Sequence, residues 1–535
     1  MMPGVVMKQM ILLLILALFL AFLLAPGAEV LSAEPMQASY KLDLTQPDSG
    51  EIAVALEMET ASQPLMLELP DSYGNGLAAG LSSHIVEEKA VDASGQELPV
   101  RRDGDIWYID YSGRITFSYK VKVSGYEAGT AYLDSLADSG NPWPYFPSLA
   151  GDLAYLPGYA VFVRPDTPEG VRPNLELKIP AGWQQALPWP EQPADMEELL
   201  ENPIFAGDLS LYEQGSLVLA IPAAASAASG GALAEYAGKA QTLLEKSESL
   251  LGGLDLPEGH RLLLALLFLG EGETLQKLYY PSDPFSASVV LSAPSGNDPL
   301  SDSTIEATAK GMASLLLAKE LFVGADTKWI SEGSAWYLQD FIPYDAGLWG
   351  ASLFWDLFNR NYDAYSEARG RYEGSLAQAG TSGYESGGAA IVLTCGGAAA
   401  CATIDSELGL IQPYQSDLSG LLRDLHGVVT IDDPIDNEEI REVLQIKTGR
   451  DWSAFFRDYI EGVQQIPASS FSSLNIVESQ NTSLPAETPE VTTSTSGWIL
   501  LVVAIVLVFI IPFVLEPYTM KPRKPGFLQK KLEED

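Results

Sequence analysis

Few side chains in this sequence could ligate a soft metal ion. Its 535 residues include three histidines, His84, His260 and His426, and two cysteines, Cys395 and Cys401. A zinc finger, a ferredoxin-type iron–sulfur protein and a scaffold with several disulfides each need more of these side chains. The sequence therefore excludes these three classes, and soft-metal chemistry has almost no ligands here.

Three segments of the second half nevertheless resemble blocks of the gluzincin metallopeptidases, in the same order and at similar spacing. They are W-I-S-E-G-S-A-W-Y-L at residues 329–338, Y-E-S-G-G-A at residues 384–389, and a closing segment from Thr448 to Pro467. Together they resemble the glycyl aminopeptidase branch of that superfamily. Shorter matches in the first half fit the N-terminal β domain of the same branch, at residues 40–44, 67–70 and 177–183.

The resemblance implies specific roles for two residues. Glu332 would be the third zinc ligand, and Tyr384 would be the tyrosine that stabilises the transition state. A gluzincin also needs the motif H-E-x-x-H, because two histidines four residues apart point from one helix face at the zinc. The glutamate between them deprotonates the metal-bound water.

The positions at which this motif is expected hold other residues. In the family the third ligand follows the first histidine by about 23 residues, and counting back from Glu332 reaches Ala309, Lys310 and Ala313. No other alignment of the motif in this region supplies the two histidines, because residues 261–425 contain no histidine. One carboxylate cannot hold a catalytic zinc by itself. We therefore expect no metal and no other cofactor, and treat Glu332 and Tyr384 as vestigial.

The sequence thus favours an inactive metallopeptidase homologue, a pseudopeptidase whose cleft binds a peptide or a protein. Two alternatives stay open. One is a working membrane-bound, aminopeptidase-like hydrolase with an atypical site, and the other is a purely structural cell-surface protein. An open cleft of about 300 Å³ or more would distinguish a binding protein from a structural one.

Lys310 stands where the family has its catalytic glutamate. A buried carboxylate must be protonated or paired, so one expectation is a charge pair in which the ammonium of Lys310 approaches Glu332 and substitutes for the metal. The alternative is that Lys310 extends along its helix to solvent. Glu332 would then lie in the first turn of its own helix, with Ser331 as the N-cap.

The elements that must position these residues follow from the hydrophobic period. From Tyr40 to about Ile221 apolar residues alternate with polar ones, which is typical of strands with one face in a core. After the Ala/Ser/Gly-rich stretch 223–231 the period becomes helical, with helices expected at 304–322 and 387–408 and a buried strand at 261–269. We therefore predict an α+β chain, with a β-sandwich-like domain (34–228) followed by a mostly helical gluzincin-like domain (229–467).

Both ends of the chain indicate a membrane protein. Lys8 followed by the apolar run 11–25 is typical of a signal peptide, expected at 1–33. Residues 498–515 carry no charge and are long enough for a transmembrane helix. The tail, 516–535, is basic, whereas residues 468–497 contain no Lys or Arg. Because basic flanks stay in the cytoplasm, we expect one C-terminal helix in the lipid bilayer of the cell membrane and the bulk of the chain outside.

The predicted exterior is strongly acidic. The chain has 71 Asp and Glu against 31 Lys and Arg, a formal charge of −40, which argues against a nucleic-acid partner. Residues 468–497 are rich in Ser, Thr and Pro and are expected to form a stalk. This stalk carries Asn481 in N-T-S, a candidate glycosylation site.

Overall fold

The computed structural model describes residues 35–476, except for 62–63, 74–77, 125–145, 168–169, 229–230, 255, 270–286, 295–298, 383–385, 411–416, 427–433 and 475. Several predicted features lie outside the described residues. They are the signal peptide (1–33), most of the stalk with Asn481, the transmembrane helix (498–515), the cytoplasmic tail (516–535) and Tyr384.

Alternating apolar residues form the strands of the first half, as predicted. In β2, for example, Ile52, Val54, Leu56 and Met58 are all at most 3% exposed, while the residues between them reach the surface. The described strands are β1 (Met36–Asp43), β2 (Glu51–Thr60), β3 (Leu65–Glu68), β4 (Ser72–Tyr73), β5 (Ala78–Ala79), β6 (Ile85–Asp92), β7 (Glu97–Leu98), β8 (Val100–Asp103), β9 (Ile106–Ile109), β10 (Gly113–Lys122), β11 (Ser148–Ala150), β12 (Leu153–Pro157), β13 (Arg164–Pro165), β14 (Val171–Lys178), β15 (Gln184–Ala186), β16 (Pro203–Gly207), β17 (Leu209–Gln214), β18 (Leu217–Pro222), β19 (Leu262–Leu269) and β20 (Ser288–Pro294).

The described strands before residue 208 build three larger sheets around one core. A six-stranded sheet has the order β14-β1-β2-β10-β6-β7, and two four-stranded sheets have the orders β13-β3-β9-β8 and β11-β12-β16-β15. Buried tyrosines tie the large sheet to the segment that crosses it. The hydroxyl of Tyr40 donates to the carbonyl of Val163 at 2.7 Å, and that of Tyr119 donates to Val161 at 2.9 Å.

A further sheet joins the two halves of the chain. Its order is β17-β18-β19-β20, and β19 and β20 run parallel to β18. β19 is the buried strand predicted at 261–269, and Leu262–Leu266 are at most 1% exposed. One face of this sheet packs on the β core and the other on the helices.

Helices dominate the second half, as predicted. The described helices are α1 (Gly158–Val161), α2 (Met196–Glu201), α3 (Ala223–Ala228), α4 (Ala232–Leu251), α5 (Asp302–Glu320), α6 (Lys328–Asp345), α7 (Ala351–Arg369), α8 (Leu376–Ser382), α9 (Gly387–Gly409), α10 (Leu418–His426), α11 (Asn437–Thr448) and α12 (Ser453–Phe455). α5 and α9 correspond to the helices expected at 304–322 and 387–408. α9 contains one feature that the period does not predict, a π-helical stretch at Val392–Gly396.

Two expectations need correction. The stretch 223–231, expected to be an irregular hinge, begins with the helix α3, because runs of alanine favour a helix. The predicted stalk, 468–497, begins inside the fold. Ala468–Phe471 forms a 3₁₀ helix, and Phe471 is buried at 5.1 Å from the ring of Phe358. One aromatic side chain therefore orders a segment whose composition predicts disorder.

α9 is the core helix of the second half. Within the described residues it is the one helix long and apolar enough to cross a membrane, but 78% of its apolar window is buried by the surrounding protein. It crosses α6 where Gly397 meets Gly333, with the backbones in close approach. A packed helix in the core accounts for its apolar composition.

Candidate functional site

The predicted site residues lie on two neighbouring antiparallel helices. α5 carries Ala309, Lys310 and Ala313, and α6 carries Glu332. The direction follows from side-chain contacts: Lys310 faces Trp336, whereas Glu306, one turn earlier on α5, bonds to Gln339, one turn later on α6. The helical hairpin thus brings the predicted positions to one interface.

Hydrogen bonds hold the start of each helix of this hairpin. Ser301 caps α5 by accepting a hydrogen bond from the backbone N–H of Thr304. Thr327 precedes α6 and donates from its hydroxyl to the carbonyl of Ile435 at 2.9 Å. The indole N–H of Trp329, in the first turn of α6, donates to Asn437 at 2.8 Å. These last two bonds tie the start of α6 to the segment that contains Ile435 and Asn437.

The residues present do not fit a zinc ion. Ala309 and Ala313 are fully buried and offer only methyl groups, and Lys310 offers an ammonium. A catalytic zinc needs three protein ligands, of which Glu332 could supply one. Within the part of the chain that the structure describes, no group of three or more His, Cys, Asp or Glu side chains could hold a metal.

Lys310 is half-buried, and its contacts differ from the expected charge pair. Among the described residues, its ammonium makes no direct ion pair with Glu332. It lies over the ring of Trp336, with Nζ 3.8 Å from the ring centroid, a cation–π arrangement. Burial lowers the pKa of Lys310 from 10.5 to about 8, and the charge of Glu332 is the largest effect opposing that shift. The charge of Glu332 therefore favours the protonated form of Lys310, although these two described residues form no direct ion pair.

Glu332 itself lies deeper in its helix than expected. α6 begins at Lys328 with Thr327 as the N-cap, so Glu332 belongs to the second turn. Ser331 is not the N-cap; its hydroxyl donates to the carbonyl of Lys328 at 3.1 Å. The helix starts earlier than the motif suggests because the preceding 3₁₀ turn, Ala325–Thr327, leads directly into it.

Asp340 is a buried carboxyl that the sequence analysis did not identify. It is fully buried, and its Oδ2 accepts a hydrogen bond from Asn361 of α7 at 3.1 Å. Its Oδ1 has no hydrogen-bond partner among the described residues. Burial, and secondarily the charge of Glu306, raise the pKa of Asp340 well above 3.8. A neutral, protonated carboxyl is the form that this environment favours.

These residues belong to a group of ionisable side chains, called the charged cluster below, whose members are Glu306, Lys310, Glu332, Asp340, Arg360 and Cys395. Glu306 accepts hydrogen bonds from Arg360 at 2.7 Å and from Gln339 at 3.1 Å. The thiol of Cys395, in the π-helical stretch of α9, interacts with the charge of Lys310, and burial raises its pKa to about 11. With Asp340 and Cys395 neutral, the cations Lys310 and Arg360 balance the carboxylates Glu306 and Glu332. The charges of the cluster then cancel within the described part of the chain.

The spacing along each helix could have identified Glu306, Trp336 and Asp340 as neighbours of Lys310 and Glu332. Glu306 and Lys310 are four residues apart on one helix, as are Glu332, Trp336 and Asp340 on the next, and such spacing places side chains on one face. None of the three histidines lies in the charged cluster. His260, for example, lies within 3.1 Å of the carboxylate of Glu198, near the start of β19.

Comparisons with known proteins agree with this architecture. Residues 39–208 match the Peptidase M61 N-terminal domain, and no curated protein sequence matches the chain. The fold is similar to that of an aminopeptidase N family protein from Idiomarina loihiensis, with a TM-score of 0.65 at 16% identity over 80% of this chain and 77% of that one. An M1 zinc metallopeptidase from Deinococcus radiodurans gives a TM-score of 0.48 at 13% identity, over 81% of this chain and 95% of that one. The chain therefore has an aminopeptidase-like fold, with an N-terminal β-sheet domain followed by a mostly helical region.

Proposed function

We propose that this protein is a pseudopeptidase. It retains the gluzincin-like fold, has lost the H-E-x-x-H motif, and binds peptides or an exposed protein segment without hydrolysing them. The observation that carries the proposal is the identity of the residues facing Glu332 across the helical hairpin. Two buried methyl groups, Ala309 and Ala313, and the ammonium of Lys310 stand where hydrolysis would require imidazoles and a general base.

The charged cluster supports this proposal. In a gluzincin the positive charge between these helices comes from zinc, whereas here it comes from Lys310. Arg360, a largely exposed residue of α7, adds a second positive charge at the edge of the cluster, where it donates to Glu306. The balance of these two charges with Glu306 and Glu332 explains how polar groups inherited from a metal site remain in a folded protein. Tyr384, outside the described residues, would then act only as a hydrogen-bond donor to a bound ligand.

We also propose that the protein acts at the cell surface. The predicted signal peptide, the apolar span 498–515 and the basic tail after it support a single membrane crossing with residues 34–497 outside. A tethered protein that binds peptides without cleaving them would hold its ligand at the membrane.

A peptide-recovery experiment separates the three candidate functions. The full-length protein, purified in mild detergent, is incubated with a defined mixture of synthetic octapeptides, and the co-eluting peptides are identified by mass spectrometry. We expect a subset to co-elute with unchanged masses, also from the Glu332→Ala variant. Progressive loss of N-terminal residues that stops in Glu332→Ala would indicate a working hydrolase. Recovery of no peptide would indicate a purely structural protein.

A further inference from the structure

A cavity of 540 Å³ lies between the end of α7 and the start of α9, outside the charged cluster. On the α7 side it is lined by Ala364, Ala368 and Tyr372. On the α9 side it is lined by Gly387, Gly388 and Ile391. Its volume lies within the usual range for small-molecule and peptide pockets.

The cavity, called the wedge below, lies next to a close contact between α7 and α9. A Cβ built at Gly396 of α9 would lie 2.7 Å from the ring of Tyr365 of α7. Tyr365 is 2% exposed, and its hydroxyl accepts a hydrogen bond from the backbone of Ile466. This contact fixes the two helices against each other beside the cavity.

The walls are held in place before any ligand binds. Arg369 donates to the carbonyls of Tyr372 and Gly374, which fixes the turn that carries Tyr372. On the opposite wall, the side chain of Ser386 accepts from the backbone N–H of Ala389 and caps α9. A pre-formed site loses less entropy on binding than one that must be ordered.

Gly388 lies in the first turn of α9, on one wall of the wedge. Its φ is not positive, so the backbone does not require glycine. A Cβ built there would have Tyr372 Cβ as its nearest described neighbour, at 3.6 Å, an ordinary contact. A side chain much larger than a methyl group at position 388 would therefore occupy the wedge.

The chemistry of the walls selects the occupant. Ala364, Ala368 and Ile391 are apolar, and Ile391 is one of four large apolar side chains that are exposed in the described part of the chain. At the rim, Glu367 and Arg371 pair with each other four residues apart, so the rim carries no net charge. An uncharged, bulky apolar side chain complements such a pocket, and a charged one would lose hydration without gaining a partner.

The cavity adjoins the charged cluster through α9. Ile391 lies four residues before Cys395, whose thiol shares the electrostatic surroundings of Lys310. At about 1.5 Å per residue, the two positions are about 6 Å apart along the helix. The wedge and the charged cluster are therefore on neighbouring turns of α9.

We propose that this wedge is the specificity pocket of the peptide site, and that it accepts one uncharged aromatic or large aliphatic side chain of the bound peptide. The inference rests on the proposed peptide-binding function. It adds the class of ligand: peptides are selected by a bulky apolar residue, and not by their charge.

The test uses the full-length protein and fluorescein-labelled tetrapeptides that differ only in one residue, Phe, Leu, Ser, Asp or Lys. We expect the Phe and Leu peptides to bind about tenfold or more tightly than the other three. Gly388→Phe, which fills the wedge, should remove this preference and leave the Ser peptide unchanged. Gly238→Phe is the matched control, because a Cβ at this helical glycine meets nothing within 4 Å. If Gly388→Phe does not fold, Gly388→Leu takes its place.

The outcomes distinguish the pocket from the proposed function. Equal affinity of the wild type for Phe and Ser peptides overturns the pocket and leaves peptide binding intact. Binding of none of the peptides overturns the proposed function, and calorimetry with indole then decides on the pocket. Indole that binds the wild type and Gly238→Phe, but not Gly388→Phe, supports an apolar pocket. Failure of indole to bind the wild type overturns it.

Discussion

The backbone of Gly333 passes so close to Gly397 that a Cβ built at Gly333 would lie 2.3 Å from the carbonyl carbon of Gly397. This approach of α6 and α9 brings the helix of Glu332 against the helix of Cys395. Because both neighbours at the crossing are backbone, neither can move aside for a side chain. The pair of glycines therefore sets the distance between two walls of the candidate site.

Substitution at this crossing should destabilise the fold. Gly333→Ala inserts a methyl group against backbone atoms, and we expect a loss of about 3 kcal/mol in the free energy of unfolding. Gly238→Ala, at a helical glycine with open space around it, should gain up to about 1 kcal/mol. Urea denaturation of both variants checks the prediction. A cost below about 0.5 kcal/mol for Gly333→Ala would show that the helices are not in close approach.

The lowered pKa of Lys310 predicts a gain in stability at alkaline pH. Between the folded pKa of about 8 and the ordinary value of 10.5, the unfolded chain binds more protons at this residue than the folded chain. The free energy of unfolding therefore rises with pH in this window. The variant Lys310→Met cannot titrate at this position. The free energy of unfolding of the wild type, minus that of Lys310→Met, should therefore rise by about 2 kcal/mol from about pH 8 to about pH 10.5.

Denaturation curves of these two proteins across that range provide the measurement. Lys319→Met, on the same helix, is the matched control. A constant difference between the wild type and Lys310→Met would mean that Lys310 keeps an ordinary pKa. The surroundings of the Lys310 ammonium would then be more hydrated than its contacts indicate.

Asp340 predicts the opposite slope at acid pH. Its pKa is raised above 3.8 in the folded state, so the folded chain holds more protons than the unfolded chain as the pH rises from 3.8. Its contribution to stability therefore falls through this window, up to the raised pKa. Asp340→Asn, which copies the neutral carboxyl, should be at least as stable as the wild type at neutral pH. This advantage should disappear below about pH 4.

Chemical denaturation at several pH values, with Asp356→Asn on the exposed face of α7 as the control, tests this expectation. Destabilisation of Asp340→Asn by about 3 kcal/mol or more at neutral pH would contradict it. That result would show that Asp340 is ionised and paired in the folded protein.

The alternation of apolar and polar residues was sufficient to predict the strands of the first half, and the helical period of apolar residues was sufficient to predict the long helices of the second. The alternate residues Ile52, Val54, Leu56 and Met58, and the run from Leu262 to Leu266, are buried as their spacing indicates. One alternative placed the N-cap of α6 at Ser331; the helix starts earlier, after Thr327, which has no side-chain cap that a motif would show. The burial of Phe471 was not predicted, because the segment that contains it has the composition of a linker. Its burial depends on Phe358, which is more than 100 residues earlier.

The candidate site was predictable only in part. Counting from Glu332 identified Ala309, Lys310 and Ala313, which do lie on the neighbouring helix. A pair between the Lys310 ammonium and Glu332 was one of two expectations; the ring of Trp336 lies beneath the ammonium. Which of several carboxylates on a helix face approaches a cation depends on the crossing of α5, α6 and α9, and that crossing is set by tertiary packing at Gly333 and Gly397.

Zinc content together with aminopeptidase turnover of the full-length protein tests the central claim most directly. The account predicts well below about 0.1 zinc per chain and no turnover for the wild type. The variant Ala309→His/Lys310→Glu/Ala313→His, which rebuilds the motif opposite Glu332, should approach about one zinc per chain. Stoichiometric zinc in the wild type, with turnover that is abolished in Glu332→Ala, would contradict the account.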